Sequence, residues 1–314
     1  MIFADPSRAR TCFTKGRLLL ACAALATLGA VAVSLAQAPL PQKNPLAESR
    51  QQAPADERVT LSAPSVKQGE SLLITILHPR ADLTAASAWL AGVKTPLFAQ
   101  ADGSLQGLAP VRVNQKPGRY AIKIQNPRGE TIYEDAITVA DGRYSRQNIV
   151  TTAKMGGLQP EPGELEAVGA LKTATGPARY WQLPFLAPTP DCMNSPYGNL
   201  RYHNGAFTGE YHKGLDLRAP QGRPVRATTG GVVKIARFYR LHGGTVGIDH
   251  GQGVSSIYIH LSKILVTPGQ RVNAGDTVGR VGATGFATGP HLHWGLFVNG
   301  LPVNPRQWAF SPAC

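Results

Sequence analysis

Apolar and polar residues alternate along much of this chain with a period of two, the signature of half-buried β-strands. Between residues 58 and 140 the stretches "SLLITIL" (Ser71–Leu77), "RYAIKIQ" (119–125) and "DAITVA" (135–140) follow or nearly follow that rule. Turn signals at Lys67-Gln68-Gly69, Ala101-Asp102-Gly103, Lys116-Pro117-Gly118 and Asn126-Pro127-Arg128-Gly129 separate them. Several short strands at this spacing predict an immunoglobulin-like sandwich over 58–141. The only histidine there, His78 beside Pro79, reads as a surface residue.

A second β-rich region follows Asp191. It contains "GGVVKIARFY" (230–239), "GTVGIDH" (244–250), "SSIYIHL" (255–261) and "HLHWGLFV" (291–298), bounded by glycine turns, with a hairpin signal at Asn299-Gly300. The whole pattern is all-β. The stretch between, 142–183, reads as a connector. One short helix is expected at "ELEAVGALK" (164–172), where Gly169 costs about 1 kcal/mol relative to alanine, and Pro/Gly-punctuated coil over much of the rest.

Two regions at the start do not read as fold. Arg8, Arg10, Lys15 and Arg17 precede the apolar run 18–35, a basic region followed by a hydrophobic one. Residues 1–38 are therefore expected to be a signal peptide, cleaved after Ala36, or an uncleaved signal anchor that leaves the protein attached to the inner membrane. The Pro-, Gln- and Ala-rich residues 39–57 read as a linker. Export places the protein in the periplasm or cell envelope. Cys12 and Cys22 belong to the leader, so Cys192 and Cys314 remain as an even pair in an oxidising compartment. A disulfide between them is expected, closing a long loop worth about 3–5 kcal/mol.

Composition narrows the function. Of 314 residues, 43% are hydrophobic and 16% charged, which suits a folded protein. The net charge of +13 fits an anionic envelope surface. Nucleic acid is disfavoured, because no dense Lys/Arg helix, zinc-finger spacing or aromatic RNA-binding motif is present.

The histidines carry the chemistry. There are eight, and all but His78 fall between 203 and 293. In "GPHLHWG" (289–295) His291 and His293 are two apart, so a strand presents both on one face. His212 and Asp216 are four apart, and Gly214 with Arg218-Ala219-Pro220 argues against a helix, so an extended chain also puts them on one face. Zinc accepts imidazole nitrogen and carboxylate oxygen, and a catalytic site uses three protein ligands plus water. His212, Asp216 and one member of the His291/His293 pair supply that set. The cation shifts the water pKa from about 15.7 toward about 7. His260 and the other member are left for proton transfer and oxyanion stabilisation. His203, His242 and His250 read as structural or surface residues. Tyr258 is expected to share a strand face with His260 and to pack.

Taken together, His212-x-x-x-Asp216, His260 in "YIHL" and His291-Leu292-His293 resemble the lysostaphin-type zinc metalloendopeptidases, which cut peptide bonds of bacterial peptidoglycan. "NSPYGNLRYHNG" (194–205), "HKGLDLRAPQGRPVRATTGGVV" (212–233), "VTPGQRVNAGDTVGRVGATGFATGPHLHWGLFVNG" (266–300) and "VNP" are similar in type and order. The resemblance implies a peptidase domain over 184–314, one zinc ion on His212, Asp216 and His293, catalytic roles for His260 and His291, and peptidoglycan stem peptides as substrate, with a D,D-cross-link favoured. A competing reading is a non-enzymatic envelope adaptor, because "VTPGQRVNAGDTVGRVG" also resembles lipoyl-carrier half-motifs. It lacks a lysine at a hairpin tip. The length of the connector raises a further expectation, that it lies across the groove and restrains the enzyme.

Overall fold

In a computed structural model the described residues are 58–310 and 313–314; the leader and linker read from residues 1–57 lie outside them. Two sheets form the amino-terminal half. One orders its strands Arg58–Leu61, Ser71–Leu77, Leu105–Pro110, Phe98–Ala99; the other Ser65–Lys67, Thr131–Ala140, Gly118–Gln125, Ser87–Leu90, Val93–Pro96. The predicted alternation decides what faces inward. Leu72, Ile74 and Ile76 of one sheet meet Ile122, Ile124, Ile137 and Val139 of the other, all essentially inaccessible. Each such side chain contributes about 1.5–3 kcal/mol of gross burial energy. The result is the expected sandwich.

The carboxy-terminal half is a ten-stranded sheet. Its main path runs Met193–Ser195, Leu215–Leu217, Leu292–Val298, Val254–Ile264, Gly243–Gly251, Gly231–Tyr239, Arg271–Val272. Alternation again assigns the faces. Leu292, Trp294, Leu296 and Val298 enter the larger core with Leu215, Leu217 and Tyr258. Phe297, Ile257 and Ile259 point to the opposite face.

The segment read as a connector does more than link. Its helix, Glu164–Thr173, lays Val168 and Leu171 on Ile235, Tyr239, Ile257, Ile259 and Phe297. The buried Glu164 carboxylate accepts hydrogen bonds from the backbone N–H of Leu241 (3.1 Å) and His242 (2.8 Å) and meets His242 Nδ1 at 2.6 Å. Burial opposes the Glu164 charge, but His242 and the backbone donors outweigh it and lower its pKa. Contrary to the expected coil, Arg146–Ile149 is a strand, paired in parallel with Leu200–His203, which in turn pairs with Ala206–Tyr211. "RQNI" carries no apolar alternation, so nothing local announces it.

The sandwich docks on the larger sheet. Gln307 Oε1 accepts from Ser71 N–H (2.8 Å) while its Nε2 donates to Ser71 O (2.7 Å), and Leu108 joins the larger core. All described residues belong to one compact unit. Cys192 and Cys314 are bridged, as expected, across a separation of 122 residues. Among the described residues no helix is long and apolar enough to cross a membrane.

Candidate metal centre

Strand register builds the site. Asp216 lies opposite Ser195 on one side and opposite His293 on the other, and His293 lies opposite Ile259. His212 precedes the short strand Leu215–Leu217 and reaches back over it. Three atoms converge: His212 Nε2 to Asp216 Oδ1 is 2.9 Å, His293 Nδ1 to Asp216 Oδ1 is 2.9 Å, and His212 Nε2 to His293 Nδ1 is 3.0 Å. Gly214 permits the approach. A Cβ there would stand 2.7 Å from His293 Nε2 and 2.5 Å from the Trp294 carbonyl oxygen.

Hydrogen bonds decide the tautomers. His212 Nδ1 is 2.9 Å from the Pro196 carbonyl, which can only accept, so Nδ1 carries the proton and Nε2 presents a lone pair. At most one proton, on His293 Nδ1, is then available among three mutually close acceptors. Such a triangle is repulsive unless a cation sits against it. Its edges are near the roughly 3.3 Å expected of a tetrahedron with bonds of about 2.0 Å. The electrostatics agree. Burial alone would raise the Asp216 carboxyl, but positive charge and N–H donation from the His212 and His293 rings, the part a bound cation would take over, hold it well below the usual carboxylate range. Burial pushes His293 down to about 4, against the pull of Asp216, so the ring is neutral at pH 7. The residues therefore suit a divalent cation, and this donor set suits zinc.

Two further imidazoles border the triangle. His291 Nδ1 donates to Gly289 O (2.8 Å), leaving its Nε2 3.9 Å from Asp216 Oδ1. His260 Nδ1 donates to Thr284 O (2.9 Å), and its ring centre is 4.8 Å from that of His291. Burial pushes His260 down to about 3, helped by His291 and His293, so it too is neutral.

His260 reaches this place by a device the alternation does not predict. The pairing of Val254–Ile264 with Gly243–Gly251 slips between Gly244 and Val246, and His260 has φ +66°. A non-glycine residue in that region costs on the order of 1 kcal/mol, and bulges of this kind re-aim a side chain. Hence Tyr258 and His260 do not share a face, correcting the expectation. Tyr258 lies in the core, its hydroxyl accepting from Thr228 N–H (3.0 Å), while His260 turns into the cleft.

The cleft encloses about 760 Å³. Its floor is the sheet face bearing Ile257, Ile259 and Phe297. One wall is the Leu200–His203 and Ala206–Tyr211 hairpin, and another is the former connector, through Met155, Leu158, Val168 and Lys172. His203 is no bystander: its ring stacks on Phe286 at 5.5 Å, and both line the cleft. His242 anchors Glu164, and His250 is fully buried with Nδ1 2.6 Å from Gly230 O. Sequence reasoning passed over Gln147, Ser195 and Arg201. Arg201 Nη2 donates to Asp216 Oδ2 (3.3 Å) and Nη1 to Gln147 Oε1 (2.6 Å). Ser195 and Arg201 fall within the quoted segment 194–205, where no role was read for them, and no local pattern marks Gln147.

Fold and donor set define a β-domain with a candidate metal centre. Residues 210–305 match Peptidase family M23. A DD-carboxypeptidase/endopeptidase, Mpg, of Neisseria meningitidis serogroup B is 43% identical over 113 residues, covering 36% of this chain and 26% of the relative. The peptidoglycan DD-endopeptidase ShyA of Vibrio cholerae is 47% identical over 115 residues, covering 37% of this chain and 27% of the relative. The match thus spans about a quarter of the length of these curated relatives. A crystal structure from Pseudomonas aeruginosa, described as a peptidase M23, is similar over 79% of this chain and 95% of its own, with 26% identity and a TM-score of 0.58. That likeness extends well beyond the matched family segment.

Proposed function

We propose that this protein is a zinc-dependent endopeptidase that hydrolyses peptide cross-links of bacterial peptidoglycan, with a D,D-bond as target, in the periplasm or cell envelope. The observation that carries the reading is the triangle of His212, Asp216 and His293 with two further imidazoles, His260 and His291, at its border. The relatives named for DD-endopeptidase activity support the reaction, and the basic leader and the cystine support export.

The chain's residues divide the work. His212, Asp216 and His293 would hold a zinc ion, which would supply Lewis acidity toward a carbonyl and a water molecule. His260 and His291 both spend Nδ1–H on backbone carbonyls, so each offers Nε2 as a base. That fixed orientation suits one to take a proton from the attacking water and the other, once protonated, to donate to the oxyanion or the leaving nitrogen. The floor of Ile257, Ile259 and Phe297 excludes water beneath an extended peptide.

Digestion of purified peptidoglycan by the protein, with fragments identified by mass, tests this. Cross-linked dimers should disappear, and a chelator should stop the reaction. Intact cross-links together with no stoichiometric zinc would favour the adaptor instead.

A further inference from the structure

We infer that Gln147, on the strand outside the matched family segment, is a positioning residue whose amide oxygen braces two of the three metal-binding side chains at once. The inference rests on the metal-site reading above. Gln147 lies opposite Arg201 in the parallel ladder, so their side chains emerge together. Three donors point at Gln147 Oε1: Ser195 Oγ at 2.7 Å, Arg201 Nη1 at 2.6 Å and Asn199 Nδ2 at 3.4 Å. Arginine can only donate, which identifies the amide oxygen as the atom at this junction.

Each of the two short bonds leads to the metal triangle. Ser195 Oγ, having donated its proton to Gln147, is 3.1 Å from His212 Nδ1 and accepts from it, sharing that proton with Pro196 O. The protonated Nδ1 is what leaves His212 Nε2 free to bind a cation. On the other arm, Arg201 spans Gln147 and Asp216 Oδ2, with both Arg201 and Asp216 side chains about nine-tenths shielded from solvent, at 13% and 14% exposure. Holding Oδ2 turns Oδ1 toward His212 and His293. The planar guanidinium bridges both acceptors as a flexible ammonium does not. Without Gln147 Oε1, the Ser195 hydroxyl is free to turn its proton toward His212 Nδ1, leaving the Pro196 carbonyl alone to hold the Nδ1–H tautomer. Arg201 Nη1 also loses its short partner. Outer partners of this kind set ligand orientation and basicity.

The test measures zinc affinity of the whole protein by competition with a chromophoric chelator, with thermal unfolding as a check on folding. Gln147→Leu should unfold cooperatively and bind zinc about 10–100-fold more weakly. Gln147→Glu, which still accepts from Ser195 and Arg201, should bind within a few-fold of the parent. Should Gln147→Leu not fold, Ser195→Ala cuts one arm alone, and weakened zinc binding with unchanged unfolding supports the same conclusion. A folded Gln147→Leu or Ser195→Ala variant with parental zinc affinity overturns the inference while leaving the metal site standing. A parent protein that binds no zinc overturns both.

Discussion

Asp216 and His293 stand opposite each other on adjacent antiparallel strands, and their Oδ1 and Nδ1 atoms are 2.9 Å apart. The neighbours of His293 along the strand, Leu292 and Trp294, are wholly buried on the other face. A slip of one residue would bury the imidazole and expose the indole, so core packing enforces the register that makes the metal site.

His293→Ala should therefore abolish both zinc binding and cutting, because it removes one of three donors. His260→Ala should retain stoichiometric zinc and lose about 10²–10⁴-fold in turnover, the usual contribution of a positioned acid–base group. Metal content measured beside the digestion rate separates the two; equal zinc loss in both variants would sink the division of roles.

Gly214→Ala should damage the site without touching a donor. The new methyl would lie 2.5 Å from the Trp294 carbonyl and 2.7 Å from His293 Nε2, so backbone or ring must move. We expect about 1–3 kcal/mol of destabilisation and weaker zinc binding. Denaturant midpoints and chelator competition report these separately.

His250 gives a stability signature at acid pH. Burial lowers its pKa from 6.5 to about 4, outweighing the pull of the Gly230 carbonyl. The unfolded chain therefore binds a proton below 6.5 that the folded chain refuses until about 4. Stability falls as pH drops through that window, by up to about 3 kcal/mol from this residue, and its contribution levels off below it. His250→Asn should flatten the stability–pH slope between 6.5 and 4 relative to the parent.

Reducing the Cys192–Cys314 bond reopens a loop with a separation of 122 residues. The chain-entropy model sets its worth near 5 kcal/mol. The last residue also donates its N–H to Met193 O at 3.1 Å, at the edge of the sheet that ends beside Ser195. Cys314→Ser should lower the unfolding temperature and lift protection from exchange at 192–195 first; an unchanged melting curve in reductant would show the bridge to be dispensable.

Glu164 is the buried fastening of the cleft wall formed by the helix. Glu164→Ala leaves the Leu241 and His242 N–H groups without their carboxylate, which costs about 1–3 kcal/mol. Exchange should rise in Glu164–Thr173 before it rises in the sheet. Truncation just before Asp191 is a poor probe of restraint by this segment, since it also deletes Arg146–Ile149 and unpairs Leu200–His203.

Local pattern was enough for a good part of this protein. Period-two alternation in Ser71–Leu77 and in 291–298 specifies strands and which residues they bury, because side-chain direction on a strand is a local property. The H-x-H pair, the H-x-x-x-D pair and the pair Cys192 and Cys314 name the donor types and the bridging residues, since these follow from residue chemistry. Three things came only with the folded chain. The bulge that parts His260 from Tyr258 depends on how a strand meets its neighbour, which no single segment encodes. The wall built by Met155, Val168 and Lys172 depends on where a helix without strong amphipathic pattern finds an apolar sheet face. The junction at Gln147 joins groups 48 and 54 residues away, all of them ordinary polar residues in sequence. Residue type and short-range period are written along the chain, whereas the meeting of distant polar groups is decided by strand order and register.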